Sequence, residues 1–420
     1  MSPLSARSIA RAVLVRVIED RAFAAAALDA EIARHPQLDR RDVGLATELV
    51  YGVLRTRGFL EEQLRARSTR DLPRAVELRA SLLIGAYTLF FLDRIPAFAA
   101  VNEAVEAVRA IESNAAGYAN ALLRSIARDL ETRPRPTLAT AIAEGAPGWL
   151  RGALRRSLGR GDASKFLAAI ADVPPLGLAT RSAEDRDRVV ARLVEAHPDL
   201  DFAPSAMSPR GVLVRGGVHP SKLTGIDVDF IVQEEGAQRV AMALEARPGD
   251  RVLDACAGRG NKSWFLAHAV GPDGRVTATD LHPKKLEVLA RYALPHAVEV
   301  RGVDWSVGGA GLRTDFDRVL VDAPCSGIGT LRRRPEIQWL RERETVAELA
   351  ALQAKILTNA AKHVRDGGRL VYAVCSVLAE ECEAVVEAFG QPPEQALRLL
   401  PHADGTDGYF IAVFTVRRSS

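Results

Sequence analysis

Five short apolar runs in the second half of the chain, separated mostly by helical segments, constrain the fold more than any other feature. Repeating strand–helix units with apolar strands predict a parallel sheet that helices cover on both faces. Four of the runs end in aspartate, which places carboxylates at the carboxyl edge of the sheet, where open α/β sheets bind ligands. The runs are residues 251–254, 275–280, 298–304, 318–322 and 369–376.

The first part of the chain has a different period. Apolar residues recur every four positions, as at Ile9, Val13 and Val17, and this spacing is typical of an amphipathic helix. Prolines interrupt the pattern at three places, where they remove a backbone donor and disfavour helix in the preceding residue. The pattern therefore predicts an all-α bundle over residues 1–132.

A charged stretch with two prolines, residues 131–137, follows the helical region and predicts a linker. Helical and strand patterns then alternate, which indicates a small α+β region over residues 138–225, before the α/β region of 226–420 begins. The alternating segments are a helix over 149–171, a strand over 176–180, a helix over 183–197 and a strand over 211–215.

The composition fits a soluble protein of two or three domains, since 48% of the 420 residues are hydrophobic and 26% are charged. No apolar run approaches the ~20 residues that span a bilayer, and the N-terminus lacks the pattern of a secretion signal, so we expect a cytoplasmic protein without membrane contact. The net charge of +3 permits nucleic-acid binding without establishing it. The four cysteines lack the paired spacing of a zinc site, and we expect no metal.

The loop after the first strand of this region, residues 252–263, predicts a cofactor site. Its small residues let a ligand approach the backbone, and the helix that follows offers unpaired N–H groups. The third glycine of a dinucleotide motif is absent, and so is the glycine of a phosphate-binding P-loop. The candidate cofactor-binding residues of the loop are Cys256, Ala257, Gly258, Arg259, Gly260, Asn261 and Lys262.

Aspartates at the ends of successive strands extend this site. Asp280 ends the second strand, where an acid can accept hydrogen bonds from ribose hydroxyls. Asp304 ends the third, where it can meet an adenine amino group, and Asp322 ends the fourth. Any one of them could instead cap a helix or form a turn. Aspartates in register at strand ends favour a nucleoside-binding edge.

Two Cys-Ser pairs follow the fourth and fifth strands, at Cys325 and Cys375. Cysteines are small and are often buried in a core, so either one alone could be a packing residue. Two of them at neighbouring strand ends, beside a nucleoside site and with Asp-Ala-Pro before the first, indicate a catalytic role instead.

Residues 322–329 read Asp-Ala-Pro-Cys-Ser-Gly-Ile-Gly, and Cys375 begins the pattern Cys-Ser-x-x-x-x-Glu-x-Glu. Together these motifs resemble the two-cysteine signature of the RNA 5-methylcytosine methyltransferases. The arginine-rich segment after Cys325 is similar to one in that family, and residues 94–126 resemble the NusB-like helical domain of its Sun/RsmB branch.

The resemblance implies three domains: a NusB-like RNA-binding domain over 1–132, an RRM-like subdomain over 138–225 and a class I, Rossmann-like methyltransferase domain over 226–420. It also implies S-adenosylmethionine as the cofactor and ribosomal RNA, most specifically small-subunit 16S rRNA, as the partner. We expect the protein to act as a monomer.

The family assigns roles to three residues. Cys375 would attack carbon 6 of a cytosine, which makes carbon 5 nucleophilic. Cys325 would promote loss of the carbon 5 proton and release of the product. Asp322 would hold nitrogen 3 of the base. Lys262 could stabilise the thiolate or could equally face a phosphate or solvent.

Three consecutive arginines are candidates for gripping RNA phosphates, although a solvated charge run has the same pattern. They are Arg332, Arg333 and Arg334.

Four positions depart from the family's motifs. Arg259 and Asn261 replace a proline and a glycine in the first loop, Val374 replaces a threonine, and Cys382 replaces an asparagine. These changes bear on cofactor affinity, turnover and the target base.

Three other functions remain open at this point: a transfer-RNA cytosine-5 methyltransferase, a non-catalytic NusB-like RNA-binding or antitermination protein, and a nucleotide-dependent oxidoreductase. The missing third glycine disfavours the oxidoreductase.

Overall fold

A computed structural model describes residues 4–217, 220–223, 230–289, 298–309 and 311–417. The chain divides into two compact units. The first unit contains residues 1–173 and 331–341, and the second contains residues 174–330 and 342–420. Each unit has its own hydrophobic core. None of the described helices combines the length and the apolar character that crossing a membrane requires.

The first unit is helical, as the four-residue period predicts. Ile9, Val13 and Val17 all lie in its core. The first helix begins with a capping box in which Ser5 and Ser8 bond to each other's backbone N–H. The helices are α1 (Ala6–Glu19), α2 (Ala24–Arg34), α3 (Arg40–Arg65), α4 (Val76–Phe91), α5 (Ala97–Ile111), α6 (Ala116–Thr132), α7 (Leu138–Gly145) and α8 (Gly148–Ala169), the last interrupted at Gly159.

Residues 331–341, which the sequence analysis assigned to the α/β region, belong to the first unit. Within this segment Trp339 donates its indole N–H to the carbonyl oxygen of Leu54 in α3 (2.8 Å). Arg55 of α3 donates to the carbonyl oxygen of Arg332 (2.9 Å). The short helix of the segment is α13 (Ile337–Leu340). Hydrogen bonds to α3 therefore hold residues 331–341 in the first unit, although the residues before and after them in the chain belong to the second unit.

The second unit begins with a small α+β part. The strands predicted over 176–180 and 211–215 are present, and so is the helix predicted over 183–197. Its sheet is antiparallel with the order β2–β3–β1–β4. The elements are β1 (Leu176–Thr180), α9 (Ala183–Ala196), β2 (Asp201–Pro204), β3 (Gly211–Arg215) and β4 (Phe230–Val232).

The predicted limits of this middle region differ from the structure at both ends. Helices α7 and α8 belong to the first unit rather than to the small sheet. The predicted end at residue 225 lies outside the described residues, and β4, which follows it, pairs with β1. A three-residue strand is too short for its pattern to be read from the sequence.

The larger sheet of the second unit has seven strands in the order β10–β11–β9–β8–β5–β6–β7. Strands β5 to β9 are parallel, and β10 and β11 run antiparallel to their neighbours. The elements are α10 (Glu235–Ala243), β5 (Arg251–Asp254), α11 (Asn261–Val270), β6 (Arg275–Asp280), α12 (Pro283–Leu289), β7 (Val298–Gly302), β8 (Phe316–Asp322), α14 (Arg343–Ala361), β9 (Val364–Val374), α15 (Glu383–Phe389), β10 (Gln395–Leu399), α16 (Pro401–Asp404) and β11 (Tyr409–Val416).

Helices cover both faces of this sheet, as predicted. Alternate strand residues point to opposite sides: Val252 packs in the same core as α10 and α11, whereas Leu253 packs in the same core as α14 and α15. All five apolar runs form strands. The carboxyl ends of β5, β6, β8 and β9 therefore meet at one edge, where the candidate residues lie.

Candidate active site

The loop between β5 and α11 has the backbone that a small-residue motif requires. Gly258 (φ 58°) and Gly260 (φ 89°) both adopt left-handed conformations. The N–H of Gly258 donates to the carboxylate of Asp280 (3.0 Å). A Cβ atom at Gly260 would lie 2.1 Å from a methyl carbon of Leu289. Glycine is thus required at position 260 both for its φ angle and for space.

Two acids lie beneath and beside this loop. Asp254 is fully buried, accepts a hydrogen bond from the hydroxyl of Ser263 (2.7 Å), and has no hydrogen-bond partner for its other oxygen among the described residues. Burial raises the pKa of Asp254 to about 7, and the neighbouring Asp322 adds to the rise. Asp280 accepts the N–H groups of Gly258 and His282. A glycine loop with an unpaired buried acceptor fits a polar cofactor that carries its own donors.

Asp304 lies in the loop after β7, the strand that neighbours β6 in the sheet. It is partly exposed and accepts the N–H of Ser306 (2.8 Å), and this hydrogen bonding lowers the pKa of Asp304. The adjacent Trp305 is buried and donates its indole N–H to the hydroxyl of Thr279 (2.9 Å). Trp305 is therefore a core residue, and Asp304 keeps a carboxylate at the sheet edge.

The two cysteines of the predicted signature lie side by side. Strands β8 and β9 are parallel neighbours, and the loops that follow them bring the sulfur atoms of Cys325 and Cys375 to 3.2 Å. Both residues are partly exposed. The hydrogen bond to Cys375, together with burial, raises the pKa of Cys325 well above its usual range. One small substrate can reach both sulfur atoms.

A partly buried ion pair lies beside the thiols. Lys262, in the first turn of α11, donates to the carboxylate of Asp322 at the end of β8 (2.6 Å). Burial opposes the charged form of Lys262, but Asp322, Asp254 and Cys375 outweigh it and raise the pKa of the lysine. Lys262 therefore keeps its positive charge close to the sulfur of Cys375.

The remaining cysteines are unsuited to nucleophilic attack. Burial and the nearby carboxylates raise the pKa of Cys256, and burial likewise raises the pKa of Cys382. Cys382 is fully buried. A thiolate is the reactive form, and the pKa of Cys325 is raised as well, so it is the 3.2 Å pairing of their sulfur atoms that makes Cys325 and Cys375 the candidate reactive thiols.

The structure brings together the predicted loop, Lys262, Asp280, Asp322 and both signature cysteines at one edge of the large sheet. The three arginines of the RNA-binding prediction lie in the first unit instead. Arg332 is only 5% exposed, which contradicts a surface role in gripping phosphates, while Arg333 and Arg334 are partly exposed. The guanidinium of Arg334 lies over the ring of Phe23 (4.6 Å).

A buried carboxylate that sequence reasoning did not assign lies behind the cysteines. Glu381 accepts hydrogen bonds from the backbone N–H and hydroxyl of Ser326 and from the hydroxyl of Ser376. These serines follow the two cysteines directly. Glu381 is the first glutamate of the Glu-x-Glu pattern, so the motif pointed to it without indicating what it contacts. Among the described residues no group of three or more His, Cys, Asp or Glu side chains is placed to hold a metal ion.

Comparisons with known proteins agree with this geometry. Residues 241–395 match the family model described as 16S rRNA methyltransferase RsmB/F, and residues 4–128 match the NusB family. The Mycobacterium tuberculosis protein Rv1407 is 36% identical, with 89% of this chain and 88% of the relative covered. The ribosomal RNA small subunit methyltransferase B of Erwinia tasmaniensis is 33% identical, with 89% of this chain and 90% of the relative covered.

Solved structures share the fold. The crystal structure of PH0851 superposes with a TM-score of 0.79 at 21% identity and covers 98% of this chain and 99% of its own. The structure of NSun6 from Pyrococcus horikoshii with SFG has a TM-score of 0.56 at 19% identity and covers 65% of this chain and 99% of its own. Sequence relatives matched over nearly nine-tenths of their length, together with the two family models, settle the assignment. The chain belongs to the 16S rRNA methyltransferase RsmB/F family.

Proposed function

We propose that this protein methylates carbon 5 of a cytosine in small-subunit ribosomal RNA, and that Cys375 forms a temporary covalent bond to carbon 6 of that base. The observation that carries the proposal is the 3.2 Å distance between the sulfur atoms of Cys325 and Cys375, next to the Lys262–Asp322 ion pair. Two thiols this close can act in turn on a single pyrimidine.

S-adenosylmethionine supplies an electrophilic methyl group when bound. The residues that would hold it are the backbone of 256–262, Asp280 at the ribose and Asp304 at the adenine. The unpaired oxygen of Asp254 and the left-handed backbone at Gly258 support this position. A Cβ atom at Gly258 would meet no atom of the described residues within 4 Å, so they leave space beside it.

The attack requires a thiolate at Cys375 and an acceptor for the charge that moves to the ring. The sulfur adds to carbon 6, the carbon 5–carbon 6 double bond shifts its electrons toward nitrogen 3, and carbon 5 becomes nucleophilic. Lys262 places a positive charge beside the sulfur. Asp322, which Lys262 holds as a carboxylate, would take up the proton that Cys375 gives up and donate it to nitrogen 3, where it offsets the charge that develops.

Release reverses the bond to Cys375. After methylation carbon 5 carries both a methyl group and a proton, and Cys325 removes the proton. The electron pair of the carbon–hydrogen bond re-forms the ring double bond and expels the sulfur of Cys375. The hydrogen bond to Cys375 is the largest cause of the raised pKa of Cys325. This hydrogen bond is lost once Cys375 is bonded to carbon 6, so the pKa of Cys325 falls and its thiolate, the form that can accept the carbon 5 proton, becomes available when release requires it.

The RNA would bind largely to the helical unit. That unit contains 29 Arg and Lys against 21 Asp and Glu, a formal charge of +8, whereas the second unit contains 27 against 32, a formal charge of −5. Phosphate binding depends on positive charge, and a cytosine inside a duplex must be single-stranded or extruded to be reached. We also propose that the protein works in the cytoplasm, because its proposed substrate is ribosomal RNA. We further propose that it acts as a monomer.

Bisulfite sequencing of ribosomal RNA from cells with and without the gene tests the proposal. We expect at least one 16S rRNA cytosine to resist deamination only when the gene is present, and a Cys375→Ala copy to leave that cytosine unprotected. Identical patterns in all three strains would contradict the proposed function, and a difference confined to transfer RNA would contradict the proposed substrate.

A further inference from the structure

Glu381 lies in the short connection between β9 and α15, and its side chain is completely buried. No ion pair with its carboxylate is found in the described part of the chain. Burying a carboxylate without a cation is unfavourable unless hydrogen bonds replace the lost water. The hydrogen bonds of Glu381 therefore indicate what the residue does.

The carboxylate is shared between the two cysteine loops. One oxygen accepts the backbone N–H of Ser326 (2.7 Å) and the side-chain amide of Gln353 (3.0 Å). The other accepts the hydroxyl of Ser326 (2.5 Å) and the hydroxyl of Ser376 (2.5 Å). Ser326 follows Cys325 and Ser376 follows Cys375, so one acid bonds to both Cys-Ser pairs.

Neighbouring groups hold Glu381 in place. The hydroxyl of Tyr372 in β9 donates to the backbone carbonyl of Glu381 (2.7 Å) and lies 3.1 Å from the amide oxygen of Gln353. The amide of Gln353 also donates to the carbonyl of Pro324, directly before Cys325 (2.9 Å). The carboxylate is therefore fixed from β9 and α14, and in turn it fixes the two loops.

We propose that Glu381 is a positioning residue, which sets the separation of the two thiols by bonding to the serine that follows each of them. The inference rests on the proposed function, because the separation matters only if both thiols act on one base. Loss of the Ser376 bond would displace the attacking sulfur, and loss of the Ser326 bond would displace the releasing sulfur. A residue needed only for folding would not separate the two steps.

The chain provides a matched control. Glu383 belongs to the same Glu-x-Glu pattern, but it is exposed and pairs with Arg398. Glu383→Gln and Glu381→Gln therefore make the same chemical change two residues apart, and only the second affects the carboxylate that joins the loops. Ser376→Ala removes the bond from Glu381 to the serine after Cys375, and Ser326→Ala removes the hydroxyl bond to the serine after Cys325 while its backbone N–H bond remains.

The experiment measures attack and release separately on ribosomal RNA. Attack is the rate at which a denaturant-resistant protein–RNA adduct forms when Cys325→Ala is also present. Release is read in protein that retains Cys325, from kcat and from the steady-state fraction of enzyme held as adduct. S-adenosylmethionine binding by titration and the melting temperature check that each variant is folded.

We expect Ser376→Ala to slow adduct formation by about tenfold or more, the effect of losing one hydrogen bond to a charged group. Ser326→Ala should leave that rate within about twofold, lower kcat by about tenfold, and raise the steady-state fraction of adduct. Glu381→Gln should impair both steps, and Glu383→Gln neither, with cofactor affinity unchanged in all four variants.

Equal behaviour of Glu381→Gln and Glu383→Gln would overturn the inference, and so would serine variants that impair both steps alike. If Glu381→Gln does not fold, the two serine variants decide the question. Failure of the Cys325→Ala protein itself to form an adduct would instead contradict the proposed function, which keeps the two results distinguishable.

Discussion

The acids at the sheet edge outnumber the cations around them. Asp254, Asp280 and Asp322 lie close enough that each raises the pKa of Cys256, whereas only two cations pair with them among the described residues, Lys262 with Asp322 and Lys285 with Asp280. An excess of negative charge of this kind is typical of a functional site, where a bound ligand contributes hydrogen-bond donors or positive charge. The positively charged methyl donor of this family fits that requirement.

Asp254 makes the stability of the ligand-free protein depend on pH. Its pKa is about 7 in the folded protein against an ordinary 3.8, so folding favours the protonated form. The stabilisation is complete below about pH 4 and is lost as the pH rises through about 7. Between pH 5 and pH 8 the free energy of unfolding should fall by roughly 2–3 kcal/mol from this group. Asp254→Asn should remove that fall in urea unfolding measurements.

Asp273→Asn is the control, because it removes an exposed carboxylate of the same unit. It should leave the pH dependence of the unfolding free energy as it is in the unaltered protein. The same pH dependence in the Asp254→Asn protein would show that Asp254 does not carry the shift.

The sequence could predict the parts of the site that follow directly from the strands, but not contacts between residues far apart in the chain. Cys325 and Cys375 could be predicted together because each directly follows a strand, and neighbouring parallel strands end at one edge. The role of Glu381 could not, because it depends on which backbone N–H its side chain meets 55 residues away in the chain. Likewise Arg332 is buried and its backbone carbonyl accepts from Arg55 of α3, 277 residues away in the chain, whereas the sequence around it reads only as a charged run.

At the scale of elements, strands with strong patterns were predicted and weak ones were not. The limits of β1, β3, β5 and β6 agree with the predicted strands, because each is a short apolar run between clear breaks. Strand β10 was missed because most of it is exposed or only partly buried at the edge of the sheet. The only alternation there, Leu397-Arg398-Leu399, is too short to indicate a strand from the sequence.

Close packing of helices depends on glycines that the period of a helix does not reveal. In α3 a Cβ atom at Gly58 would lie 2.0 Å from the carbonyl oxygen of Gly145 at the end of α7, which is far inside van der Waals contact. Gly44, in the same helix, is exposed, and in the part of the chain that the structure describes no atom lies within 4 Å of the corresponding position. Replacing each glycine with alanine therefore distinguishes the effect of helix propensity, which applies at both positions, from the effect of close packing, which applies only at Gly58.

Gly58→Ala should destabilise the protein by about 2 kcal/mol or more, since the backbone of α7 must move to make room. Gly44→Ala should stabilise it by about 0.5–1 kcal/mol, because alanine favours helix in an exposed position. Urea unfolding of both variants measures the difference. Equal changes in the two would rule out a close approach of α3 and α7.

At the scale of the whole molecule, charge and chemistry lie in different units. The helical unit carries the excess of positive charge, and the second unit carries the thiols and the acids. Sequence composition gave only the net value of +3, which conceals this division. The family assignment explains why one chain has both the positive charge and the thiols. A methyltransferase acting on ribosomal RNA needs a surface that attracts phosphates and an active site at the edge of the sheet.

A denaturing gel of the Cys325→Ala and Cys375→Ala proteins, each incubated with unmodified small-subunit RNA and S-adenosylmethionine, tests the two-thiol mechanism most directly. We expect a slowly migrating protein–RNA band with Cys325→Ala, whose attack is intact but whose release is blocked. No such band should appear with Cys375→Ala or with the double variant. A band with Cys375→Ala, or full methylation by both single variants, would contradict the assignment of attack to Cys375 and release to Cys325.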